Sequence, residues 1–168
     1  PLNNDGLVRT GSGVDPIVNE NYMNPTEARL TAMVESAKSR GKEVIVSFGG
    51  AGNEGFTNFL STEELRTQAV TSIMEVVDRF GFDGVDIDFE PDRNLELTTF
   101  RDFSEKLRTA LGDRQLISAT QRNSSVWKGV EDLYNHINLM TYDFSGAWGG
   151  WQVWHNSSLL SNVNFDST

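Results

Sequence analysis

The fold of this chain is limited most by a unit that recurs three times. In each unit, a segment with helically spaced apolar residues ends at a glycine, and a short apolar stretch follows. The three stretches are "KEVIVSFGG", "FDGVDIDFE" and "QLISAT". Helices that alternate with short buried strands are typical of right-handed βαβ units and a parallel sheet. We therefore predict an α/β fold whose strands are joined by crossover helices.

The helices carry recognisable start signals. Asn24 is placed as an N-cap before Pro25, and Ser61 with Glu64 forms a capping box at the second helix. A third helix is predicted over residues 95–111, and a short helix within "SVWKGVEDLYNHI" leads to a fourth strand, "INLMTY". The sequence thus predicts about four parallel strands.

The two ends of the chain lack a regular period. Residues 1–21 are rich in Asn, Gly and Asp, which predicts an irregular N-terminal segment. Residues 144–168 hold three of the four tryptophans among Gly, Asn and Ser, and we interpret them as a long aromatic loop. With 168 residues and 38% hydrophobic content, residues 1–168 fit a single domain.

Charge and composition exclude several classes of partner. The net charge of −10 disfavours nucleic acid and anionic membranes, because a phosphate backbone is bound chiefly through clustered Lys and Arg. The chain has no cysteine and two histidines, so we expect neither a disulfide nor a metal site, and no cofactor. The start, "PLNNDGLVRT", has the features of neither a signal peptide nor a membrane span. A neutral ligand fits this composition best.

The stretch "DGVDIDFE" alternates apolar and acidic residues, so one face of the predicted strand carries Asp86, Asp88 and Glu90. A solvated strand face is the simpler interpretation of such alternation. However, neighbours on one face lie about 6.6 Å apart, so three carboxylates repel one another and at least one should have a raised pKa. Because active sites are where such a cost is commonly retained, we favour a functional site.

Other polar residues lie at the ends of the neighbouring predicted strands. Ser47 ends one strand, and Tyr142 with Asp143 ends another. Parallel strands place functional groups at their C-terminal ends, so we expect these side chains and Glu90 to converge on one edge of the sheet. A hydrolase that uses a divalent metal at the carboxylates is an alternative.

Three short motifs resemble those of glycoside hydrolase family 18, the chitinases and their relatives. "DGVDIDFE" resembles the DxxDxDxE signature, "SFGG" resembles SxGG, and "LMTYDFSGAW" resembles the segment around MTYD. The resemblance covers roughly residues 22–160. It implies a partial (β/α)₈ TIM-type barrel in which the four strands correspond to the third to sixth of the family. A closed barrel typically needs about 250 residues, so we expect one incomplete catalytic domain. A missing barrel segment or a second copy would complete it.

The family's mechanism carries over through the matched motif positions. The resemblance implies that Glu90 is the general acid and that the nucleophile is the substrate's own acetamido oxygen. Asp88 would orient the acetamide and stabilise the positive charge, while Asp86 would share a proton with it. Tyr142 would hydrogen-bond the acetamido carbonyl, and Asp143 would contact the sugar.

The remaining residues have supporting roles in this interpretation. Ser47 would support Asp86 from behind, and Met140 is placed beneath the substrate, although packing in the core is its simpler interpretation. Asp83 breaks the alternation and is interpreted either as structural support or as a turn residue beside a glycine. Trp148, which lies near a motif, is the tryptophan expected to stack on a sugar ring. The other three tryptophans are expected to pack in the core or against a partner: Trp127, Trp151 and Trp154. Both histidines, His136 and His155, are expected to have a structural role.

The function implied by the resemblance is retaining hydrolysis of β-1,4-linked N-acetylglucosamine polymers by a secreted enzyme, with chitin or its oligosaccharides as substrate. An endo-β-N-acetylglucosaminidase that acts on glycans remains an alternative. A non-catalytic chitin-binding lectin is another, although the acid Glu90 is present.

Overall fold

The structure is a computed structural model, and it describes residues 27–50, 58–90, 97–120, 127–146 and 155–157. The predicted irregular segment 1–21 lies outside the described residues, as do Trp148, Trp151 and Trp154. In chain order, the helices and strands of the described part are α1 (Glu27–Lys38), β1 (Ile45–Gly49), α2 (Glu63–Phe80), β2 (Gly84–Asp88), α3 (Leu97–Leu111), β3 (Gln115–Thr120), a 3₁₀ turn (Glu131–Leu133) and β4 (His136–Leu139).

The four strands form one parallel sheet in the order β1-β2-β3-β4. Each of the first three strands is joined to its neighbour by a segment that crosses over the same sheet, as the recurring unit predicts. Glycines end the three helices: Gly41, Gly81 and Gly112 all have a φ of 62° to 69°, the left-handed conformation that favours glycine. The α/β fold with parallel strands is therefore confirmed.

Two local predictions need correction. The N-cap of α2 is Thr62 rather than Ser61, because the Thr62 hydroxyl accepts the Leu65 N–H at 3.3 Å while the Ser61 hydroxyl donates to Asn58 O. The predicted short helix before β4 is reduced, among the described residues, to turns and the single 3₁₀ turn Glu131–Leu133.

The fourth strand also ends earlier than predicted. It spans His136–Leu139, because the Thr141 N–H donates to Leu139 O at 3.0 Å and turns the backbone away from the ladder. Met140 still donates its N–H to Thr120 O at 2.9 Å. Tyr142 and Asp143 therefore follow the strand in a loop at its C-terminal end.

One face of the sheet is covered by α2 and α3. Val85, Ile87 and Phe89 are buried there, and Phe89 stacks on Phe100 of α3 with ring centroids 5.2 Å apart. Trp127 packs edge-on against Phe100, so its predicted place in packing is confirmed. None of the helices in the described part of the chain is long and apolar enough to cross a membrane.

The first and last strands mark the edges of the described sheet. Within the described ranges, β1 and β4 each pair with a strand on one side. Leu139, which shares a face with the helix-covered side chains, is 61% exposed. The sheet is closely paired in its centre, since a Cβ on Gly84 would lie 2.4 Å from Gln115 O.

Candidate active site

The face of the sheet opposite α2 and α3 carries polar residues in two rows. The register aligns Ser47 with Asp86, and Asp86 with Ile117 of β3. One step nearer the C-terminal edge, Asp88 aligns with Gly49 on one side and with a small residue of β3 on the other. The acidic residues of β2 therefore lie on the face opposite the helices, as the alternation predicts.

Ser47 and Asp86 are joined directly. The Ser47 hydroxyl donates to Asp86 Oδ2 at 2.6 Å, the short distance expected for an O–H bonded to a carboxylate. Asp86 Oδ1 is buried and has no hydrogen-bond partner among the residues that the structure describes. Ser47 thus fixes one oxygen of this carboxylate, while the other is buried on the face of the sheet opposite α2 and α3.

Asp88 is the carboxyl of this row that is held against ionisation. Burial is the largest cause that raises the pKa of Asp88, and the charges of Glu90 and Asp86 raise it further. Among the described residues, its buried Oδ1 has no hydrogen-bond donor to stabilise a negative charge on that atom. The expectation that at least one carboxyl in the row has a raised pKa is confirmed.

The turn after β1 brings its backbone against Asp88. Gly50 donates its N–H to Asp88 O at 2.9 Å, which prolongs the pairing of the two strands by one step. Gly49 and Gly50 have φ values of 127° and 101°, a region that L side chains rarely adopt. The two glycines of "SFGG" are therefore required by the backbone conformation at the edge of the site.

Glu90 lies just beyond the last residue of β2. Its neighbour Phe89 is 2% exposed and stacked on Phe100 in the helix-covered core. Because successive residues of an extended chain point to opposite sides, the buried Phe89 places Glu90 on the side of Asp86 and Asp88. Glu90 is partly buried, and its charge contributes to the raised pKa of Asp88.

The loop after β4 contributes the next residues at this edge. Met140 is partly buried, and the Tyr142 side chain is 52% exposed. Asp143 has a φ of 55° and accepts a hydrogen bond at Oδ1 from Asn156 Nδ2 at 2.9 Å. The parallel topology brings this loop to the same edge of the sheet as Glu90, two strands away from β2.

Asp83 lies at the opposite edge. Its carboxylate accepts the Val44 N–H at 2.8 Å and pairs with Lys38 Nζ at 2.9 Å. Burial alone would raise the pKa of Asp83, but these two hydrogen bonds and the charge of Lys38 outweigh it and hold the pKa below its usual value. Asp83 therefore ties α1 to the start of β1 and β2 and does not touch the acidic row.

Two further polar residues lie on the face of the sheet opposite α2 and α3. The sequence analysis does not single out Asn138 and predicts a structural role for His136. His136 aligns with Ile117, and Asn138 aligns with Ala119, so both lie on the face that carries the carboxylates. The alternation within "HINL" is the signal that could have identified them. Within the described ranges, no three His, Asp or Glu side chains are grouped so that they could hold a metal ion.

Comparisons with known proteins agree on one family. The profile described as "Glycosyl hydrolases family 18" matches residues 16–168. Chitinase B of Serratia marcescens is 26% identical over 160 residues, which cover 80% of this chain and 32% of that protein. The matched family is one of glycosidases, so this α/β fold with its acidic row belongs to that class of protein. This chain belongs to glycosyl hydrolase family 18.

Solved structures show the same fold. A chitinase from Bacteroides thetaiotaomicron superposes with a TM-score of 0.71 and 22% identity, covering 93% of this chain and 47% of that one. A chitinase-like agglutinin from Robinia pseudoacacia superposes with a TM-score of 0.60 and 20% identity, over 74% of this chain and 45% of that one. The four strands and their helices are therefore part of a (β/α)₈ barrel. The chain spans about a third of the length of the Serratia relative and about half of these structures.

Proposed function

We propose that this chain carries the acidic half of a chitinase site, which hydrolyses β-1,4-linked N-acetylglucosamine polymers with retention of configuration. The observation that carries the proposal is the row of Asp86, Asp88 and Glu90 at the end of β2. In this row Ser47 holds Asp86, and the pKa of Asp88 is raised by burial and by its acidic neighbours. The family membership and the curated chitinase relative support the same reaction.

In the proposed reaction, Glu90 gives its proton to the glycosidic oxygen as the bond from that oxygen to C1 breaks. The acetamido carbonyl oxygen of the same sugar bonds to C1 and forms an oxazolinium ion. Water then attacks C1 as the bond from C1 to the acetamido oxygen breaks, which restores the acetamide, and the water gives a proton to the Glu90 carboxylate. Two displacements at one carbon retain the configuration, and the acid returns to its starting state.

Asp88 and Asp86 have a joint role in this proposal. A protonated Asp88 can donate a hydrogen bond to the acetamide, and an ionised one can stabilise the positive charge of the oxazolinium ion. The raised pKa of Asp88 supports this exchange, because the neutral form is populated more readily than for an ordinary aspartate. Asp86, whose Oδ2 is bound by Ser47, would take up the shared proton through its buried Oδ1.

The loop after β4 is proposed to bind the sugar. Tyr142, which is half exposed at the same edge, would hydrogen-bond the acetamido carbonyl, and Asp143 would contact a sugar hydroxyl. Met140 would pack beneath the ring. Trp148 remains the tryptophan proposed to stack on a sugar. Secretion, which would bring the enzyme to an insoluble polymer, is part of the same proposal.

Binding without hydrolysis is a second candidate function. The agglutinin from Robinia pseudoacacia has the same fold, so the fold alone does not separate an enzyme from a lectin. Glu90, which stands at the acid position of the signature, favours hydrolysis. Hydrolysis of the chitobiose core of protein-linked glycans would instead identify an endo-β-N-acetylglucosaminidase, which would use the same acetamido chemistry.

The proposal is tested with a fluorogenic chitobioside and the longest natural polypeptide that contains these 168 residues. We expect hydrolysis that EDTA leaves unchanged and that a thiazoline analogue of N-acetylglucosamine inhibits, because this analogue resembles the oxazolinium ion and binds more tightly than substrate. Fully deacetylated chitosan should not be cut, since it lacks the nucleophile. Loss of activity with EDTA would favour the metal hydrolase, and efficient cleavage of deacetylated chitosan would contradict the mechanism.

A further inference from the structure

We infer that Asn156 is a positioning residue for the sugar-binding loop, because its side chain and backbone hold the segment that carries Tyr142 and Asp143 in place. This inference deepens the proposed function and rests on it for its kinetic consequences. Its structural part rests on hydrogen bonds that the sequence motifs do not assign.

Asn156 makes three hydrogen bonds to this segment. Its side-chain Nδ2 donates to Asp143 Oδ1 at 2.9 Å and to Ser145 O at 3.3 Å, and its backbone O accepts the Phe144 N–H at 2.9 Å. The next residue, Ser157, donates its hydroxyl to Thr141 O. Two adjacent residues thus bind four of the five residues from Thr141 to Ser145.

The conformation that Asn156 holds is one that an aspartate seldom adopts. Asp143 has a φ of 55°. Among the described residues, it is the only residue other than glycine that has a positive φ. Such a conformation persists when surrounding contacts specify it. The exposed Asp143 carboxylate receives its hydrogen bond from Asn156, so this amide stabilises the turn that directs Tyr142 and Asp143.

The chemistry of the amide explains why Asn suits this position. A primary amide has two N–H donors, and both are used here, one for a carboxylate and one for a carbonyl. Alanine at position 156 would lose both donors. Aspartate, which has nearly the same shape, would lose both donors and add a negative charge against Asp143.

The kinetic consequence follows from where charge develops. In the proposed reaction, Tyr142 binds an acetamido group whose polarity grows toward the transition state, so a misplaced loop should impair the chemical step more than substrate binding. A displacement of about 1 Å can lower the rate by about 10²-fold. We expect kcat to fall by about 10- to 100-fold for Asn156→Ala and Asn156→Asp, with KM changed by less than about threefold.

The experiment combines hydrogen exchange with steady-state kinetics on the longest natural polypeptide. Ser61→Ala is the matched control, because it removes an exposed hydrogen bond, to Asn58 O, that lies outside this loop. We expect the Phe144 amide to exchange at least about tenfold faster in Asn156→Ala and Asn156→Asp than in this control, while amides of β2 and β3 keep their rates. The double variant Asp143→Asn with Asn156→Asp reverses donor and acceptor, and it should restore part of the protection of the Phe144 amide, because it recovers the bond between positions 143 and 156 but not the bond to Ser145 O.

The results separate this inference from the proposed function. Exchange and kcat in both Asn156 variants equal to those of Ser61→Ala would overturn the inference, as would a loss of protection spread over the whole sheet. If the wild-type protein does not hydrolyse the chitobioside, the proposed function fails. In that case, the exchange rate of the Phe144 amide still decides whether Asn156 holds the loop. The deciding observations are faster exchange in the two Asn156 variants and partly restored protection in the double variant.

Discussion

The Ser47 hydroxyl donates to Asp86 Oδ2 at 2.6 Å across the paired strands β1 and β2, while no described residue hydrogen-bonds the buried Asp86 Oδ1. This single bond makes the two oxygens of Asp86 chemically different. It also means that a residue of one strand sets the orientation of a carboxylate on the next. The site therefore depends on the register of the sheet as well as on the acidic residues themselves.

Ser47→Ala should remove the partner of Asp86 Oδ2 and let the carboxylate rotate. We expect a loss of about 1 kcal/mol in the free energy of unfolding and a decrease of about tenfold in kcat/KM. Ser61→Ala is the control, because the Ser61 hydroxyl donates to Asn58 O at 2.6 Å in an exposed turn before α2. Urea unfolding and chitobioside kinetics are the measurements, and equal kcat/KM values for the two variants would argue against a role for the bond.

Asp88→Asn should make the protein more stable at neutral pH. The folded state raises the pKa of Asp88 above the ordinary 3.8, so the folded state binds a proton more tightly than the unfolded state. Stability is therefore lost as the pH rises from about 3.8 through the folded pKa, and this loss is absent below that window. Asparagine cannot ionise, so the variant should not lose this stability as the pH rises.

The measurement for Asp88→Asn is the free energy of unfolding between pH 3 and pH 8. The variant should exceed the wild type near pH 7, and the difference should shrink toward pH 3. Asp113→Asn, at an exposed aspartate in the turn after α3, is the control. A variant that is less stable than wild type at pH 7, or a difference that does not change with pH, would contradict the predicted linkage.

Gly84→Ala should destabilise the sheet strongly, because the new Cβ would lie 2.4 Å from Gln115 O of β3. We expect a loss of about 3 kcal/mol in the free energy of unfolding. At Gly41, which has a φ of 69° and open space around it, alanine should cost about 1 kcal/mol, from the backbone conformation alone. Urea unfolding of both variants makes the comparison, and similar losses would refute the close approach of β2 and β3.

Glycosylation at Asn156 should lower the turnover of the protein. This residue begins the sequence Asn-Ser-Ser, an acceptor site in a eukaryotic secretory host. A glycan on Nδ2 replaces one of the two N–H groups that bind Asp143 and Ser145. We expect protein glycosylated at Asn156 to lose about tenfold or more in kcat. Ser158→Ala, which removes the acceptor sequence and keeps the amide, should restore kcat.

The control for this prediction is the second acceptor sequence, which begins at Asn123. Ser125→Ala removes that acceptor and should not change kcat. Peptide mass spectrometry gives the occupancy of each site. Full turnover by protein in which Asn156 is completely glycosylated would show that its two N–H donors are not needed together.

Much of the fold is predictable because it is specified locally. Helical spacing that ends at a glycine fixes where each helix stops, as the left-handed Gly41, Gly81 and Gly112 show. The alternation in "DGVDIDFE" fixes which face of β2 is acidic. These features depend on residues a few positions apart, which a single sequence contains.

The parts that escape prediction depend on distant residues or on small local differences. Asn156 lies thirteen positions beyond Asp143 in a segment without a period, so the bond between them has no local signal. The raised pKa of Asp88 depends first on how deeply its carboxyl is buried between β1 and β3, which no local pattern specifies. Ser61 and Thr62 are adjacent hydroxyl residues, and either could cap α2. The position of the first helical turn makes Thr62 the N-cap.

The central claim is that Glu90 is the acid, and Glu90→Gln tests it most directly, because glutamine keeps the shape of the side chain and cannot donate the proton. Glu75→Gln, at an exposed position of α2, is the matched control. Turnover of the fluorogenic chitobioside is measured beside calorimetric binding of an N-acetylglucosamine oligosaccharide. We predict that Glu90→Gln lowers kcat by about 10²- to 10⁴-fold and changes the dissociation constant by less than about threefold, while Glu75→Gln changes neither. Turnover by Glu90→Gln close to that of the wild type would contradict the account.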